Sequence, residues 1–378
     1  IRSWRDAGQR LVLAVSNKGL TDVLTRELSR QQGAGSPSQL GGRLCFPWDG
    51  EPEGPVLHSA SKVVPLFGLA LEEDLQQIRE AADPYAELAG FVERCAAESI
   101  ASVLPPELQG SADVLFVARS RVNGRGAEKV ALGGDVDWTS LKECVRDGVQ
   151  SATGWTVPTL VSRSSQAQVT VIAFFGTDHV AIGVESAEPA EARGVPFPWS
   201  RVVRPGMETQ LAGAMAVLAL EGFEGQDLVV VDLVCGFGTL LLAAARLSNP
   251  KSSMTLVGRD VDESKVRSTA RNFRACGLDA SQVKVGDGRD SQALRDLPDG
   301  SADAVLCDLP CGALHKTSAD YASYAGFFKE AARLLRPGGR FVVLSTRRQM
   351  LSTTVKKGPW KMRQAWSIGR GEGNLRET

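Results

Sequence analysis

Four acidic residues stand at the ends of four successive apolar runs, and the first run leads into a glycine turn. Asp232 closes Val229-Val230-Val231 and precedes Cys235-Gly236-Phe237-Gly238-Thr239. Asp260 closes Leu256-Val257-Gly258-Arg259, Asp287 follows Val283-Lys284-Val285-Gly286, and Asp308 closes Ala302–Cys307 ahead of Leu309-Pro310-Cys311. Glycines at 236 and 238 permit a tight turn and a close backbone approach to a ligand. A carboxylate about twenty residues beyond such a turn suits a ribose, because it accepts the protons of both hydroxyls. A single Asp after a strand more often caps the next helix. Four of them at successive strand ends favour a binding edge instead. The nicotinamide fingerprint asks for Gly-x-Gly-x-x-Gly, and Leu241 stands where its third glycine belongs.

The elements that must carry these acids are legible around them. Asp227–Leu233 is nearly continuous in apolar, β-branched residues and reads as a strand buried on both faces. Thr239 opens an apolar helical run over Leu240–Leu247, and a helical pattern returns over Tyr321–Leu335. Arg336-Pro337-Gly338-Gly339 breaks that helix before a fifth strand, Arg340–Thr346, and Lys361–Ile368 reads as a sixth. Strand and helix alternate, which predicts a parallel α/β sheet with its ligand at the strand carboxyl ends.

The first half reads as α+β. It offers a strand and helix within 11–28, a strand at Arg43–Phe46, a helical pattern over 84–103, a strand at Val114–Arg119 and a helix over Leu141–Thr153. Strands Gln168–Phe175 and His179–Glu185 meet at the hairpin-like turn Gly176-Thr177-Asp178. Ala187–Trp199, rich in Glu, Pro and Arg, reads as a linker, and 378 residues suit two or three domains.

The order of the second half resembles the class I S-adenosylmethionine (SAM) methyltransferases. The resemblance implies a Rossmann-like domain with a seven-stranded mixed sheet, whose last strand would begin where this sequence stops. It implies a SAM site at Asp232, Cys235, Gly236, Gly238 and Thr239 (the methionine loop), Asp260 and Val261 (the ribose), and Asp287 and Gly288 (the adenine). Asp308-Leu309-Pro310 is similar to the catalytic Asp/Asn-Pro-Pro-aromatic tetrapeptide. The Asp-x-x-Cys-Gly-x-Gly-Thr form of the first motif resembles enzymes that methylate exocyclic amines of bases.

Arg119–Glu188 looks like the second half of a THUMP domain, an RNA-binding module. The fit rests on Phe116-x-x-Arg119-x-Arg121-x-Asn123, on Gly148 with Ala152-Thr153-Gly154-Trp155, and on Ala181-Ile182-Gly183-Val184. The whole chain thus resembles the THUMP-domain methyltransferases that make N2-methylguanosine. Expected domains are a ferredoxin-like region over 1–110, the THUMP domain over 111–190, a linker over 191–205 and the methyltransferase over 206–378. Cys-Gly-Phe-Gly-Thr-Leu-Leu-Leu and Asn272–Leu278 look closer to the eukaryotic branch acting on a spliceosomal small nuclear RNA, with the transfer RNA branch left open. The family also implies a small zinc-binding activator protein that adds a strand at a sheet edge near Gln282–Val285.

In such enzymes the acid and the following backbone carbonyl accept hydrogen bonds from the target amine, and Pro310, lacking an N–H, holds that carbonyl. Positioning and electrostatics then promote in-line methyl transfer with no metal, onto a base that is single-stranded or extruded. Two departures stand out. Cys311 replaces the aromatic that stacks on the base, with Tyr321 and Tyr324 as candidate substitutes, and Met207-Glu208 stands where these enzymes carry Leu-Arg.

Charge is uneven: 17 bases face 24 acids over residues 1–190, and 26 face 20 over 191–378. Arg119, Arg121, Arg125 and Lys129 form a candidate RNA contact, and Arg340–Thr378 holds nine bases against two acids. Histidines 58, 179 and 315 lack zinc-ligand spacing, and seven scattered cysteines without a Cys-x-x-Cys pair suit a reducing compartment, cytoplasmic and/or nuclear. No run reads as a membrane span or a secretory signal. Two rival functions follow from the departures: an inactive RNA-binding protein that keeps the fold, and a methyltransferase acting on protein amides.

Overall fold

The computed structural model describes residues 1–122, 132, 138–158, 167–185, 196–203, 205–223, 225–248, 252–310 and 321–368. The chain divides into two compact units, Ile1–Ala187 and Glu188–Ile368.

The first unit is built on one seven-stranded sheet. Its elements are α1 (Arg2–Asp6), β1 (Leu11–Val15), α2 (Thr21–Leu28), β2 (Ser38–Leu40), β3 (Arg43–Pro47), β4 (Lys62–Leu71), α3 (Glu72–Glu80), α4 (Pro84–Ser99), β5 (Phe116–Val122), α5 (Trp138–Thr153), β6 (Val169–Phe175) and β7 (His179–Val184). The strand order is β2-β3-β1-β4-β7-β6-β5, so the sheet takes strands from both sides of residue 110. A boundary there would run between strands of a single sheet. The break between units falls at 187/188 instead.

Alternation along the strands sorts side chains to two faces. Val171, Ala173 and Phe175 of β6 join Leu88, Val92, Val145 and Val149 of α4 and α5, while Ile172 and Phe174 join Leu13, Leu66 and Ala181 on the other side. The residues that carried the THUMP resemblance serve this packing. At Gly148 a Cβ would stand 2.5 Å from the Ala89 carbonyl oxygen, so the glycine lets α5 close on α4. Trp155 meets Phe116 edge-on at 6.0 Å.

The second unit holds α6 (Thr209–Leu220), β8 (Leu228–Asp232), α7 (Thr239–Arg246), β9 (Met254–Asp260), α8 (Glu263–Ala275), β10 (Val283–Val285), β11 (Ala302–Asp308), α9 (Tyr321–Leu334), β12 (Leu335–Leu344) and α10 (Arg348–Lys357). Its sheet runs β10-β9-β8-β11-β12, and every pairing is parallel. β8 is buried on both faces as expected: Val230 packs with α6 and α7 residues, Val231 with Tyr324, Phe327 and Phe328 of α9. Chain order runs outward from β8 one way to β9 and β10, and the other way to β11 and β12. The crevice between β8 and β11 is therefore the topological switch point, where open α/β sheets bind ligands.

Among the described residues the sheet of this unit has five strands, all parallel. Two expectations need correction. Lys361–Ile368 forms no strand. A suitable run becomes a strand only beside a neighbour that completes the ladder, and none lies along it among the described residues. The fifth strand starts earlier than read, at Leu335, because a register shift opposite Ala302–Ala304 absorbs Pro337-Gly338-Gly339.

Candidate cofactor site and methyl-transfer edge

The four acids lie along one edge of the second sheet. Asp232 pairs in register with Gly258 and Leu306, Val285 pairs with Asp260, and Asp308 pairs with Leu344. Since the strands are parallel, these positions all mark carboxyl ends. Asp232 and Asp308 flank the switch point.

Asp260 holds the glycine turn. Its Oδ2 accepts the Gly236 amide at 2.9 Å and its Oδ1 the Asp262 amide at 2.9 Å. Capping of α8 falls to Asp262, whose carboxylate takes the Ser264 amide, so Asp260 is not a helix cap. Each Asp260 oxygen keeps a further lone pair, which fits a diol. Beside it Val261 is 59% exposed, an apolar surface next to a polar anchor.

The turn itself needs its glycines. Gly236 and Gly238 have φ of +53° and +81°, a region costly for other residues. At Gly236 the nearest atom to an added Cβ would be the Val234 carbonyl oxygen, 3.9 Å away, so open space faces the turn. From α8, the Thr269 hydroxyl donates to the Gly236 carbonyl at 2.6 Å and the Asn272 amide to the Phe237 carbonyl at 3.0 Å. Thr239 accepts the Gly206 amide on its hydroxyl at 2.7 Å. Cys235 is buried against Gly258, and burial raises its thiol well above the ordinary range. It is packing beneath the turn.

Asp232 is 1% exposed and accepts the Val234 amide at 3.0 Å. Burial pushes its carboxyl up to about 8, with the charges of Asp308 and Asp260 adding to the shift. Asp287 behaves oppositely. Arg289 donates through Nε to its Oδ1 at 2.8 Å and through Nη2 to its Oδ2 at 2.6 Å, which holds the carboxyl below the usual range. The same guanidinium reaches Ser323 of α9 at 3.0 Å. Gly288 presses backbone on backbone: a Cβ there would sit 2.1 Å from the Leu233 carbonyl oxygen. The post-β10 loop is further tied by Arg259, buried at 1% exposure, which grips both Asp296 oxygens at 2.8 Å.

Asp308 is exposed at the end of β11, whereas Leu309 is buried and its amide donates to the Leu344 carbonyl at 3.0 Å. That bond fixes the peptide from which the Leu309 carbonyl projects. Cys311 lies outside the described residues, as does the side chain of Tyr321. Tyr324 is corrected as a stacking substitute: its ring is fully buried and its hydroxyl bonds Ser345 Oγ at 2.9 Å. In the first unit, Arg119 and Arg121 are exposed on edge strand β5, with Arg119 3.7 Å from Glu185. Arg125 and Lys129 lie outside the described residues.

Sequence reasoning missed Thr269 and Asn272, which grip the glycine turn from α8, the Arg259–Asp296 pair that ties down the post-β10 loop, and Arg289, which holds Asp287. Only Arg289 carried a local signal, two positions beyond Asp287 in Gly-Asp-Gly-Arg.

Residues 224–375 match the family described as a methyltransferase domain. A relative named U6 snRNA (guanine-N(2))-methyltransferase THUMPD2, from Bos taurus, is 35% identical over 143 residues, 37% of this chain and 25% of its own length. The chain thus spans about a quarter of the curated relatives it matches first. The crystal structure of TrmN from Thermus thermophilus superposes with a TM-score of 0.67 at 24% identity, over 96% of this chain and 97% of that one. SMU.472, a putative methyltransferase complexed with SAH, gives 0.58 at 15% identity over 91% and 92%. The second unit has the class I methyltransferase fold. Open space at the glycine turn and the spare lone pairs of Asp260 fit a nucleoside-bearing cofactor of the kind such folds hold.

Proposed function

We propose that this chain, a member of the class I SAM-dependent methyltransferases through residues 224–375, methylates the exocyclic N2 of a guanosine in RNA. One observation carries the reading. The acid of the catalytic motif, Asp308, stands exposed on the same strand-end edge as the cofactor acids, across the switch point from Asp232.

Bound at that edge, the cofactor supplies an electrophilic methyl group. There Asp260 and Val261 would hold the ribose, the Gly236–Gly238 turn and Asp232 the amino-acid end, and Asp287 with Gly288 the adenine. A guanine N2 is a poor nucleophile because its lone pair is delocalised into the ring. Asp308 and the Leu309 carbonyl accept hydrogen bonds from its two N–H groups and turn the lone pair towards the methyl. As the nitrogen gains the methyl it sheds one proton, which Asp308 is placed to receive. Pro310 leaves no competing N–H beside that carbonyl. The rate gain comes from alignment and fixed dipoles.

The likeness to the bovine enzyme named for U6 snRNA supports a small nuclear RNA over a transfer RNA. Arg119 and Arg121 on β5 are proposed RNA contacts, in a first unit read as a THUMP domain. The β10 edge, which no further strand covers among the described residues and where Val285 is 53% exposed, supports a small zinc-binding activator that adds a strand there. Six described cysteines are free thiols, which agrees with a cytoplasmic or nuclear location.

The test is transfer of labelled methyl from SAM into total RNA, with activator present, by wild type and Asp308→Ala. Label recovered as N2-methylguanosine and lost in the variant supports the reading. Label in protein alone, or none despite SAM binding, rejects it.

A further inference from the structure

One side chain joins the adenine-side acid to the helix that follows the catalytic motif. Oδ1 of Asp287 accepts the Arg289 amide at 2.9 Å and the Arg289 Nε at 2.8 Å. Oδ2 accepts Nη2 at 2.6 Å and shares Nε at 3.1 Å, which leaves one lone pair of Oδ2 for a ligand. An adenine amine therefore meets a single acceptor in a fixed place. Arg289 sets that place.

The other arm of the same guanidinium leaves the loop. Nη1 donates to Ser323 Oγ of α9 at 3.0 Å, and α9 is shaped to receive it. Ser323, Gly326 and Phe327 stand at i, i+3 and i+4, on one face of the helix. A Cβ at Gly326 would lie 3.0 Å from the Arg289 Cβ and 3.3 Å from its Cγ, so the stem runs where the helix has no side chain. The guanidinium carbon then stands 5.8 Å from the centre of the Phe327 ring. From the next residue of α9 the connection continues to the catalytic strand. Tyr324 Oη bonds Ser345 Oγ at 2.9 Å, Ser345 follows Leu344, and the Leu344 carbonyl takes the Leu309 amide at 3.0 Å. The Leu309 carbonyl is one of the two acceptors proposed for the target amine.

An ion pair whose side chains are 33% and 32% exposed ordinarily contributes little by itself. This one is also bonded to α9, and α9 to the end of β12. We infer, resting on the reading of the site given above, that Arg289 is a positioning residue that couples occupancy of the adenine end to the Leu309 peptide. It touches no reacting atom. An amine bonded to Oδ2 steadies the Asp287–Arg289 fork, and the fork steadies Ser323 and the first turn of α9. Tyr324 passes that order to Ser345 and so to Leu344 and Leu309. Each step is a hydrogen bond or a neighbouring peptide, a contiguous physical path. By linkage, a correctly held target amine strengthens cofactor binding through the same groups.

The experiment uses the full chain as wild type, Ser323→Ala and Arg289→Lys. Ser323→Ala cuts the bond to α9 and leaves the fork on Asp287, whereas Arg289→Lys keeps the charge and loses the fork. Calorimetry gives the affinity for S-adenosylhomocysteine, and hydrogen exchange of the Leu309 amide is followed with and without that ligand at saturation. In wild type the ligand should slow Leu309 exchange about tenfold, an ordinary size for coupling between sites. In Ser323→Ala it should bind within about twofold of wild type yet slow that exchange less than about twofold, because the coupling is cut and the fork is not. Single-turnover methyl transfer at saturating SAM and RNA should fall about tenfold in the same variant, the cost of a misaligned acceptor. Arg289→Lys should lose the ligand effect on Leu309 and also bind the ligand about tenfold more weakly. Equal ligand protection of Leu309 in wild type and Ser323→Ala, even with a lowered melting temperature, makes the Ser323 bond structural and overturns the inference while the reading of the site stands. Wild type that binds no S-adenosylhomocysteine would remove that reading, and the inference with it.

Discussion

The Gly236 amide donates to Oδ2 of Asp260 across 2.9 Å, so the turn after one strand is fastened to the acid ending the next. A ligand at that edge therefore meets the loop and Asp260 already held as one piece. With Asp262 bonding the other oxygen, the carboxylate has a single orientation.

Asp260→Ala removes both acceptors and leaves two backbone amides unpaired. SAM affinity should fall by at least tenfold, and stability by about 1–3 kcal/mol, the usual cost of orphaned buried donors. Calorimetric titration and thermal unfolding read the two effects separately. Unchanged SAM affinity would remove Asp260 from the site.

Asp308→Ala should leave both of those measurements nearly unchanged, because the side chain is exposed at its strand end. Its effect belongs to the chemical step, a loss of about 10²–10³ in kcat, typical for removing one positioned electrostatic group. Single-turnover kinetics with saturating SAM would show it. A loss confined to KM would mean that Asp308 only binds substrate.

Arg289 holds Asp287 below the ordinary carboxylate range. A depressed carboxylate contributes stability above its unfolded pKa that is lost as pH falls through the folded value. Denaturant unfolding of wild type should therefore weaken on the acid side, below the usual Asp range of about 4. In Arg289→Ala the Asp287 share of that acid limb should shrink, and SAM should bind more weakly as Asp287 loses its fixed orientation. An identical acid limb in the variant would contradict the pairing.

Asp232 runs the other way. Its carboxyl is raised to about 8 by burial, so its stabilising share is full below the unfolded value near 4 and falls away as pH rises to about 8. Asp232→Asn keeps a neutral acceptor for the Val234 amide. The variant should show a flatter stability profile between pH 4 and 8 in unfolding titrations without SAM. A profile parallel to wild type would mean that the native carboxyl is ionised throughout.

Two glycines separate strain from crowding. Gly277 has φ of +73° with nothing within 4 Å of an added Cβ, so Gly277→Ala should cost only the left-handed backbone penalty, about 1–2 kcal/mol. At Gly288 the added carbon meets the Leu233 backbone oxygen at 2.1 Å, and neither side can turn away. Gly288→Ala should cost more than about 3 kcal/mol and loosen SAM binding. Equal melting temperatures for the two variants would argue against the close approach.

The strands that carry the acids were legible in the sequence because both their faces are buried, which leaves continuous apolar runs ending in an Asp. β8, β9, β10 and β11 fall within two residues of their expected positions. The ten-residue β4 gave no such signal: Pro65 and Gly68 interrupt its pattern, and a register shift between Leu66 and Gly68 accommodates them against β7. The helix α10 also went unread, while Lys361–Ile368 has a strand-like pattern and joins no sheet.

By itself, then, the sequence determined the order of strands, the acids at their ends and the glycines of the turn, since each is a local consequence of residue type and spacing. Tertiary structure decided what those acids face. Which Asp caps α8, which carboxyl Arg289 holds down and which is pushed up by burial all depend on contacts between segments far apart in the chain. Tyr324 makes the same point: its residue type allowed a stacking role, and only packing against the sheet, with its hydroxyl spent on Ser345, took that role away.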